Sequence, residues 1–359
     1  MSSVGFSQAV LADLTRRIAD EALLAPLWPE RDGVAVLDQT RLPFERHVLI
    51  VRTADEMRVA IQRMQIRGSG AIGCAGALGA YLIVCNHPQE AAAWGALAQP
   101  LKSARPTALA LRTAVDEVLA AALASSVPVE AAAHAAAAFF TRQLAMERAI
   151  GRHGAAVIAD GATVLTHCHS GALAGAGYGG RALSVIRTAV EAGKQIRVIA
   201  QETRPYLQGA RITAWELHQL GIPVTLITDG MSGALMALGR VDVCVVGSDR
   251  LAINGDLVNK VGTYLVALAA REHGVPFYTA TTRYNVDATC SSGRAIPIEF
   301  RDGREVLTFN GQPITFDGAE ALYPAFDMTP AHLLSGIITE AGLLQAPFES
   351  QLRALIEEK

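Results

Sequence analysis

The sequence is poor in several features that define whole classes of protein. Its five cysteines among 359 residues are widely scattered and form no Cys-x-x-Cys pair. This argues against a disulfide framework or a structural zinc site and favours a reducing cytoplasm. The chain has no run of about five or six like charges, and 31 basic against 34 acidic residues leave a net charge of −3. We therefore expect neither nucleic acid nor a membrane surface as a partner.

Long apolar runs and a secretory signal are also missing. The most apolar stretches, 70–85 and 131–140, are shorter than the roughly 20 residues that span a bilayer. Their alanine and glycine content favours close helix packing. The first residues lack the basic and apolar regions of a signal peptide. What remains is a composition of 51% apolar and 18% charged residues, typical of a globular protein, with a length that suggests about two domains.

The first half of the chain has mainly helical patterns. Apolar periodicity and capping residues predict helices over 8–24 with Ser7 as N-cap, 54–64 with Thr53 as N-cap, 107–124 after Pro106, and 129–150. Short apolar runs predict strands over 33–38 and 47–52. A charge-mixed break at 151–154 marks a boundary. We predict a mainly helical N-terminal domain with short strands over residues 1–150.

The second half alternates short β-branched runs with amphipathic stretches. The pattern predicts strands over 162–166, 195–200, 224–227, 242–246 and 276–281, with helices near 181–192, 210–220, from Ser232, and 259–273. Strands joined through helices pair in parallel with right-handed crossovers. We therefore predict the α/β class, with a Rossmann-like, doubly wound parallel-sheet domain over residues 151–359.

Polar side chains follow each predicted strand of the second half. They are residues 167–169, 201–204, Asp229, 248–250 and 281–283. In open α/β sheets, ligands bind outside the carboxyl ends of the strands. Because a thiol, three carboxylates and three arginines would share this edge, we expect the functional site there.

Cys168 lies between His167 and His169 and precedes a glycine-rich segment, 171–180. It is either a small apolar core residue or a functional thiol at a strand end. The glycines allow backbone N–H groups to approach an anion closely. They match no strict dinucleotide fingerprint, so a nicotinamide cofactor is not supported. The two histidines would share a face of the strand end, without further residues to complete a metal site.

Asp249 follows an apolar strand and Gly247, where desolvation would raise its pKa and suit it to general-acid catalysis. The alternatives are a turn cap or an ion pair with Arg250. Lys260 lies in a predicted loop, 254–260, and by itself reads as a solvated lysine. The sequence from Arg67 to Gly73 precedes a small-residue helix and suits an anion or a simple turn, and Arg105 before Pro106 has the same two interpretations.

At these residues the chain resembles the methylthioribose-1-phosphate isomerases, a family related to the regulatory subunits of a translation-initiation exchange factor. The matching strings run through nearly the whole chain. They are 37–43 (LDQTRLP), Arg67-Gly68, 104–108 (ARPTA), 202–211 (ETRPYLQGAR), 227–229 (ITD), 246–250 (VGSDR), 254–256 (NGD), 259–264 (NKVGTY) and 324–330 (PAFDMTP).

The resemblance implies an activity and a set of site residues. It implies an isomerase of methionine salvage that converts 5-methylthioribose 1-phosphate to 5-methylthioribulose 1-phosphate, without metal or other cofactor, as a homodimer with a helical N-terminal and a Rossmann-like C-terminal domain. It makes Cys168 and Asp249 the catalytic pair, with Asp249 as general acid. It assigns the sugar phosphate to Arg67, Gly68, Ser69, Arg105, Gln208, Asn259 and Lys260.

Two strings depart from the family pattern. Residues 167–171 read HCHSG where NCNTG is common, and residues 67–73 read RGSGAIG where RGAPAIG is usual. The first is more similar to the ribose-1,5-bisphosphate isomerases. The group at sugar C5 therefore stays open between methylthio, deoxy and phosphate. Candidates for holding a second phosphate are His167, His169, Arg204 and Arg283.

A non-catalytic subunit that senses a sugar phosphate or nucleotide is the alternative of a different class, because one fold serves several functions. By resemblance, the regulatory relatives lack Cys168 and Asp249 as a working pair. Their presence in this chain favours an enzyme.

Overall fold

The structure, a computed structural model, describes residues 9–22, 24–105 and 108–357. Helices dominate the first part of the chain. They are α1 (Ala9–Glu21), α2 (Ala54–Gln62), α3 (Ser69–Asn86), α4 (Trp94–Lys102), α5 (Leu109–Leu123) and α6 (Pro128–Gly154). Strands β1 (Leu27–Glu30), β2 (Gly33–Leu37) and β3 (Val48–Val51) form an antiparallel sheet in that order.

Most of these elements are the ones that the sequence predicts. Thr53 caps α2 through a capping box, in which its hydroxyl accepts the Glu56 N–H while the Glu56 carboxylate accepts the Thr53 N–H. Strand β1 and helix α4 were not predicted. The predicted cap Ser7, the helix start at residue 8 and the Pro106 signal lie outside the described residues. Helix α6 continues through the predicted break at 151–154 to Gly154, although the packing units divide close by, between Ala149 and Ile150.

Helix α3 forms the centre of the helical part. It packs against α2, α4 and α5, and glycines permit the close approach: a Cβ at Gly76 would lie 2.7 Å from Leu111 Cδ1, and one at Gly79 would lie 2.7 Å from Leu101 Cδ2. Among the described residues it is the one helix long and apolar enough to cross a membrane, and 83% of it is buried inside the protein. This is the burial of a core helix.

The rest of the chain supplies the remaining elements. The strands are β4 (Thr163–Thr166), β5 (Arg197–Gln201), β6 (Val224–Ile227), β7 (Val243–Val246), β8 (Arg250–Ala252), β9 (Leu257–Lys260), β10 (Phe277–Ala280), β11 (Val286–Asp287), β12 (Thr308–Phe309), β13 (Gln312–Pro313), β14 (Phe326–Thr329), β15 (Gly336–Thr339) and β16 (Gly342–Leu344). The helices are α7 (Ala182–Glu191), α8 (Ala214–Gln219), α9 (Ser232–Ala237), α10 (Thr263–Glu272), α11 (Arg304–Leu307) and α12 (Glu349–Glu357).

The main sheet has seven strands in the order β16-β15-β10-β7-β4-β5-β6. All neighbours pair in parallel except the edge strand β16, which is antiparallel to β15. Burial of apolar residues from the strands and from α10 and α12 forms one core, with Leu165, Cys244 and Ile337 fully buried. The predicted α/β class and doubly wound sheet are confirmed, although the strand series continues past β10, where the prediction ended.

A second sheet, in the order β11-β8-β9-β14, was not predicted. Its pairs are antiparallel apart from β8 with β11. It corrects the interpretation of residues 254–260 as a loop, because Leu257–Lys260 is strand β9 and the following helix begins only at Thr263. The strands are two to four residues long, too short for alternation to separate them from a loop.

By packing, the chain divides into two units. One contains the residues up to Ala149 together with Ser170–Ser184, and the other contains Ile150–His169 and the residues from Val185 onward. The glycine-rich segment after Cys168 therefore packs in the first unit, whereas the sequence placed it with the second half. The reason is a network of hydrogen bonds to α6, described below.

Candidate active site

The strand order creates a switch point between β4 and β7. The chain runs from β4 outward through β5 and β6, and then returns to place β7 on the other side of β4. Ligands in open α/β sheets bind outside the carboxyl ends of the strands at such a point. Cys168 follows β4 by two residues and Asp249 follows β7 by three. The two residues therefore leave the same edge from adjacent parallel strands, which lie about 4.8 Å apart.

The polar residues predicted to share this edge do so. The carboxyl ends of five neighbouring strands, β4, β5, β6, β7 and β10, lead into the segments 167–169, 201–204, Asp229, 248–250 and 281–283, with Gln201 still the last residue of β5. This part of the sequence interpretation is confirmed because parallel pairing brings all carboxyl ends to one side.

Cys168 has a strained backbone that neighbouring hydroxyl groups hold in place. Its φ of +67° lies in the left-handed region, which costs a non-glycine residue about 1–3 kcal/mol. Its N–H donates to Thr203 Oγ1 at 2.9 Å, and its carbonyl accepts from Thr213 Oγ1 at 2.7 Å. Strain of this kind concentrates at functional sites, and here it turns the chain sharply at the end of β4.

Asp229, at the end of β6, anchors the loop that supports Cys168. Its carboxylate accepts the N–H groups of Thr203 at 2.8 Å and Arg204 at 2.7 Å. Its carbonyl accepts from Gln201 Nε2 at 2.7 Å. Thr203 is also left-handed, with φ +61°. The carboxylate of Asp229 thus satisfies two loop donors that have no strand partner.

The thiol of Cys168 contacts a second residue of the predicted site. Gln208 Nε2 donates to Cys168 Sγ at 3.1 Å, and both residues are buried. A π-helical turn, Gly209–Thr213, follows, and its first residue must be glycine because a Cβ there would collide with the Gln201 carbonyl oxygen. The Cys168 thiol therefore accepts a hydrogen bond from a polar side chain, whereas Cys244 lies in the apolar core of the main sheet. This favours the functional interpretation of Cys168.

The two histidines beside Cys168 bond to different elements. His167 donates from Nε2 to the Val261 carbonyl at 2.9 Å, and burial lowers the pKa of its ring. His169 Nε2 lies 2.9 Å from Glu216 Oε2 on α8, with both side chains fully buried. The expectation that the two rings share one face is wrong, because the left-handed turn at Cys168 separates them.

Asp249 is half-buried in the turn between β7 and β8. Its N–H donates to the Val258 carbonyl at 3.2 Å, and its carbonyl accepts from Asn285 Nδ2 at 3.0 Å. Arg250, which the sequence offered as an alternative partner, forms an ion pair with Asp287. Asn285, a residue that sequence reasoning missed, thus fixes the backbone of the predicted acid.

Asn259 and Lys260 end strand β9 rather than lying in a loop. Asn259 Nδ2 donates to Thr263 Oγ1 at 3.0 Å. The Lys260 ammonium lies 4.3 Å from the centre of the Phe326 ring and 6.0 Å from that of Tyr323. Aromatic faces attract a cation at these distances, so the lysine is held rather than solvated.

The remaining predicted residues belong to the first unit. Arg67 is buried, Gly68 has φ +90°, and Ser69 begins α3. Arg105 Nη2 donates to Met64 Sδ at 2.6 Å, which places Arg105 against the turn that leads to Arg67. Arg67, Gly68 and Ser69 thus lie at the start of α3, and Arg105 contacts the turn that precedes them.

The glycine-rich segment after Cys168 encloses an anion that the chain itself supplies. The fully buried carboxylate of Glu147 on α6 accepts N–H groups from Ala176, Tyr178, Gly179 and Gly180. A Cβ at Gly175 would collide with this carboxylate. The sequence predicted the cradle of N–H groups but not its occupant, because Glu147 is distant in sequence and matches no motif.

The described residues contain no group of three or more His, Cys, Asp or Glu side chains placed to hold a metal ion.

Residues 65–346 match the Initiation factor 2 subunit family. The chain belongs to this family. This agrees with the resemblance that the sequence strings carry.

Two relatives illustrate the similarity. The chain is 46% identical over 345 residues to the methylthioribose-1-phosphate isomerase of Roseiflexus castenholzii, covering 92% of this chain and 97% of the relative. It is 46% identical over 351 residues to the 5-deoxyribose 1-phosphate isomerase of Moorella thermoacetica, covering 93% and 97%.

Two solved structures share the fold over nearly their whole length. The 5-methylthioribose 1-phosphate isomerase from Pyrococcus horikoshii OT3 is 33% identical with a TM-score of 0.87, covering 97% of this chain and 98% of that one. The translation initiation factor eIF-2B, subunit delta, from A. fulgidus is 36% identical with a TM-score of 0.84, covering 93% and 99%. The family therefore contains both isomerases and initiation-factor subunits on this fold.

Proposed function

We propose that this chain isomerises an aldose 1-phosphate to a ketose 1-phosphate, with 5-methylthioribose 1-phosphate as its substrate. The observation that carries the proposal is the placement of Cys168 and Asp249 after adjacent strands at the switch point of the sheet. The similarity to isomerases of this substrate over 92% of the chain supports it.

The chemistry requires an acid and a route for hydrogen. The phosphate blocks the anomeric hydroxyl, so the sugar ring opens only when its ring oxygen is protonated, a task that we assign to Asp249. Hydrogen then moves from C2 to C1. It passes either as a proton through an enediol, with the Cys168 thiolate as base, or as a hydride in a dry pocket. Deuterated solvent separates these routes, because only an exchanging proton brings deuterium to C1.

The phosphate ester needs cations and N–H donors. By resemblance we assign this role to Arg67, Gly68, Ser69, Arg105, Gln208, Asn259 and Lys260. Held side chains lose little entropy on binding, and the contacts of Arg105 with Met64 and of Lys260 with Phe326 give that preorganisation.

The group at C5 is best explained as uncharged. Of the four candidates for a second phosphate, His169 is buried against Glu216 and Arg283 pairs with Glu340. Arg204 donates to the carbonyls of Val306 and Thr308. Burial lowers the pKa of the fourth, His167, and so favours its neutral form. Since the four already serve the fold, methylthio and deoxy substrates are favoured over ribose 1,5-bisphosphate.

The test is parallel kinetics on 5-methylthioribose 1-phosphate, 5-deoxyribose 1-phosphate and ribose 1,5-bisphosphate. We expect the highest kcat/KM for the first. Cys168→Ser and Asp249→Asn should each lower kcat by about 10²–10⁴-fold. Cys85→Ser in α3 and Asp242→Asn at the opposite sheet edge are the matched controls and should retain activity. Near-normal turnover of either site variant removes that residue from its role.

A non-catalytic, nucleotide- or sugar-phosphate-sensing subunit is the second candidate. The structural similarity to the A. fulgidus initiation-factor subunit favours it. Failure of the pure protein to form ketose from any of the three sugars, together with tight nucleotide binding in calorimetry, would select this function. The homodimer implied by the resemblance is tested by sedimentation of the full chain.

A further inference from the structure

The turn between β9 and α10, residues 260–262, includes Lys260 and directly follows Asn259, and both residues are assigned to the substrate phosphate. Thr263 Oγ1 donates to the Lys260 carbonyl at 2.6 Å and accepts from Asn259 Nδ2 at 3.0 Å. Gly262 has φ +104°, a left-handed conformation that favours glycine. The direction in which Lys260 leaves the sheet therefore depends on this turn.

Asp327 holds the turn from strand β14. It is the direct antiparallel neighbour of Asn259. Its carboxylate accepts the N–H groups of Gly262 at 2.7 Å and Tyr264 at 3.2 Å. These are donors at the first turn of α10, where N–H groups have no partner within the helix. The carboxylate thus fixes the end of the turn that enters α10.

His167, the residue directly after β4, holds the middle of the same turn. Its buried ring donates from Nε2 to the Val261 carbonyl at 2.9 Å. The ring also lies close to Gly262, because a Cβ there would be 3.0 Å from His167 Cε1. Since His167 directly precedes Cys168, the ring connects the turn to the strand end that carries the proposed catalytic thiol.

We propose that His167 and Asp327 are positioning residues that hold the 260–262 turn from two sides and thereby fix the Lys260 ammonium relative to Cys168. This inference rests on the proposed function. The Phe326 ring, 4.3 Å from the ammonium, confines the end of the Lys260 side chain. His167 and Asp327 fix the backbone from which that side chain extends.

If Asp327 only stabilised the fold, replacing it would lower Tm. A positioning role predicts weaker substrate binding at an unchanged or higher Tm. Burial raises the pKa of Asp327 to about 6, although the N–H groups of Gly262 and Tyr264 and the charge of Lys260 oppose this. Keeping the carboxylate ionised at neutral pH therefore costs stability. In Asp327→Asn, one amide oxygen can replace Oδ2, which accepts from both Gly262 and Tyr264, so Tm should be unchanged or higher. Loss of the negative charge weakens both hydrogen bonds to the turn. Loss of substrate binding without loss of stability is the signature of positioning.

The experiment compares Asp327→Asn, His167→Asn and the double variant in the full-length protein. The readouts are kcat, KM for 5-methylthioribose 1-phosphate, and Tm. We expect KM to rise about 10-fold in each single variant, with kcat of Asp327→Asn within about twofold of wild type. Because both residues act on one turn, the double variant should raise KM by less than the product of the single effects.

Asp242→Asn is the matched control, since the Asp242 carboxylate also accepts a backbone N–H, that of Thr163 at 2.7 Å, but at the opposite edge of the sheet. It should retain wild-type KM. Unchanged KM in both site variants overturns the inference, as does a fall in Tm of Asp327→Asn that accompanies the kinetic change.

Failure of the proposed function has a separate result. If wild type turns over none of the three sugar phosphates, the proposed isomerase function is rejected. The affinity for 5-methylthioribose 1-phosphate, measured by calorimetry, then tests whether Asp327 positions the 260–262 turn. About 10-fold weaker binding by Asp327→Asn supports positioning, and equal binding overturns it. Wild type that binds none of the sugars also overturns it.

Discussion

Glu147 provides the sharpest test of how the first unit is held together. Its carboxylate is fully buried, and its two oxygens accept four backbone N–H groups of the glycine-rich segment. Each buried N–H left without an acceptor costs about 1–3 kcal/mol. Glu147→Leu removes all four acceptor contacts and should cost at least about 4 kcal/mol, among the largest effects of a single substitution.

Glu147→Gln should have an intermediate effect. One amide oxygen can replace Oε2, which accepts from Tyr178, Gly179 and Gly180 at 3.0–3.1 Å. The amide nitrogen then faces the N–H of Ala176, which loses its acceptor. The expected cost is about 1–3 kcal/mol, reduced by removal of a buried charge. At about 2–4 °C per kcal/mol, Tm should fall measurably and less than for the leucine variant.

The pH dependence gives an independent check. Burial raises the pKa of Glu147, with Arg181 and the N–H donors acting in the opposite direction. The folded state therefore binds a proton more tightly than the unfolded state. The stability that this proton binding by Glu147 contributes is present below the ordinary carboxyl pKa of 4.5. It is lost as pH rises through the raised pKa of the folded state. Glu147→Gln should flatten this part of the stability profile.

Thermal and urea unfolding followed by circular dichroism measure all three effects. Glu130→Gln, an exposed position on the same helix, is the control and should unfold as wild type does. A Glu147→Leu protein with wild-type Tm would show that the segment finds other acceptors, and the assignment of Glu147 as its anchor would then be wrong.

Three further predictions concern residues of the second unit. Gly209→Ala should lower kcat/KM at least 10-fold in steady-state kinetics, because the new Cβ collides with the Gln201 carbonyl and displaces the chain beside Gln208. Gly95→Ala is the control and should leave kcat/KM unchanged, since a Cβ there meets open space. Leu165→Ala in the buried core should cost about 2–5 kcal/mol in urea unfolding, and a cost below 1 kcal/mol contradicts that packing. Stability of wild type should fall between pH 4 and 6 as Asp327 ionises, and a profile identical in Asp327→Asn refutes the raised pKa of about 6.

Sequence patterns predicted the elements that depend on near neighbours. Helix α9 begins at Ser232 as expected, and Thr53 caps α2. The five parallel strands β4, β5, β6, β7 and β10 lie where the apolar runs predicted them. These features follow from period, capping and strand length, all of which are local. Parallel pairing then placed Cys168 and Asp249 at one edge, because crossovers of one hand bring all carboxyl ends together.

Only the tertiary structure decided which groups satisfy one another across the chain. The partner of His167 is the carbonyl of Val261, 94 residues away, and the partner of His169 is Glu216, 47 residues away. Glu147 occupies the glycine cradle from 29 to 33 residues upstream. No local pattern encodes such choices, because a buried donor takes whichever acceptor the packed fold brings within reach. The sequence determined where polar chemistry gathers, and packing determined which side chains remain for a substrate and which hold the chain.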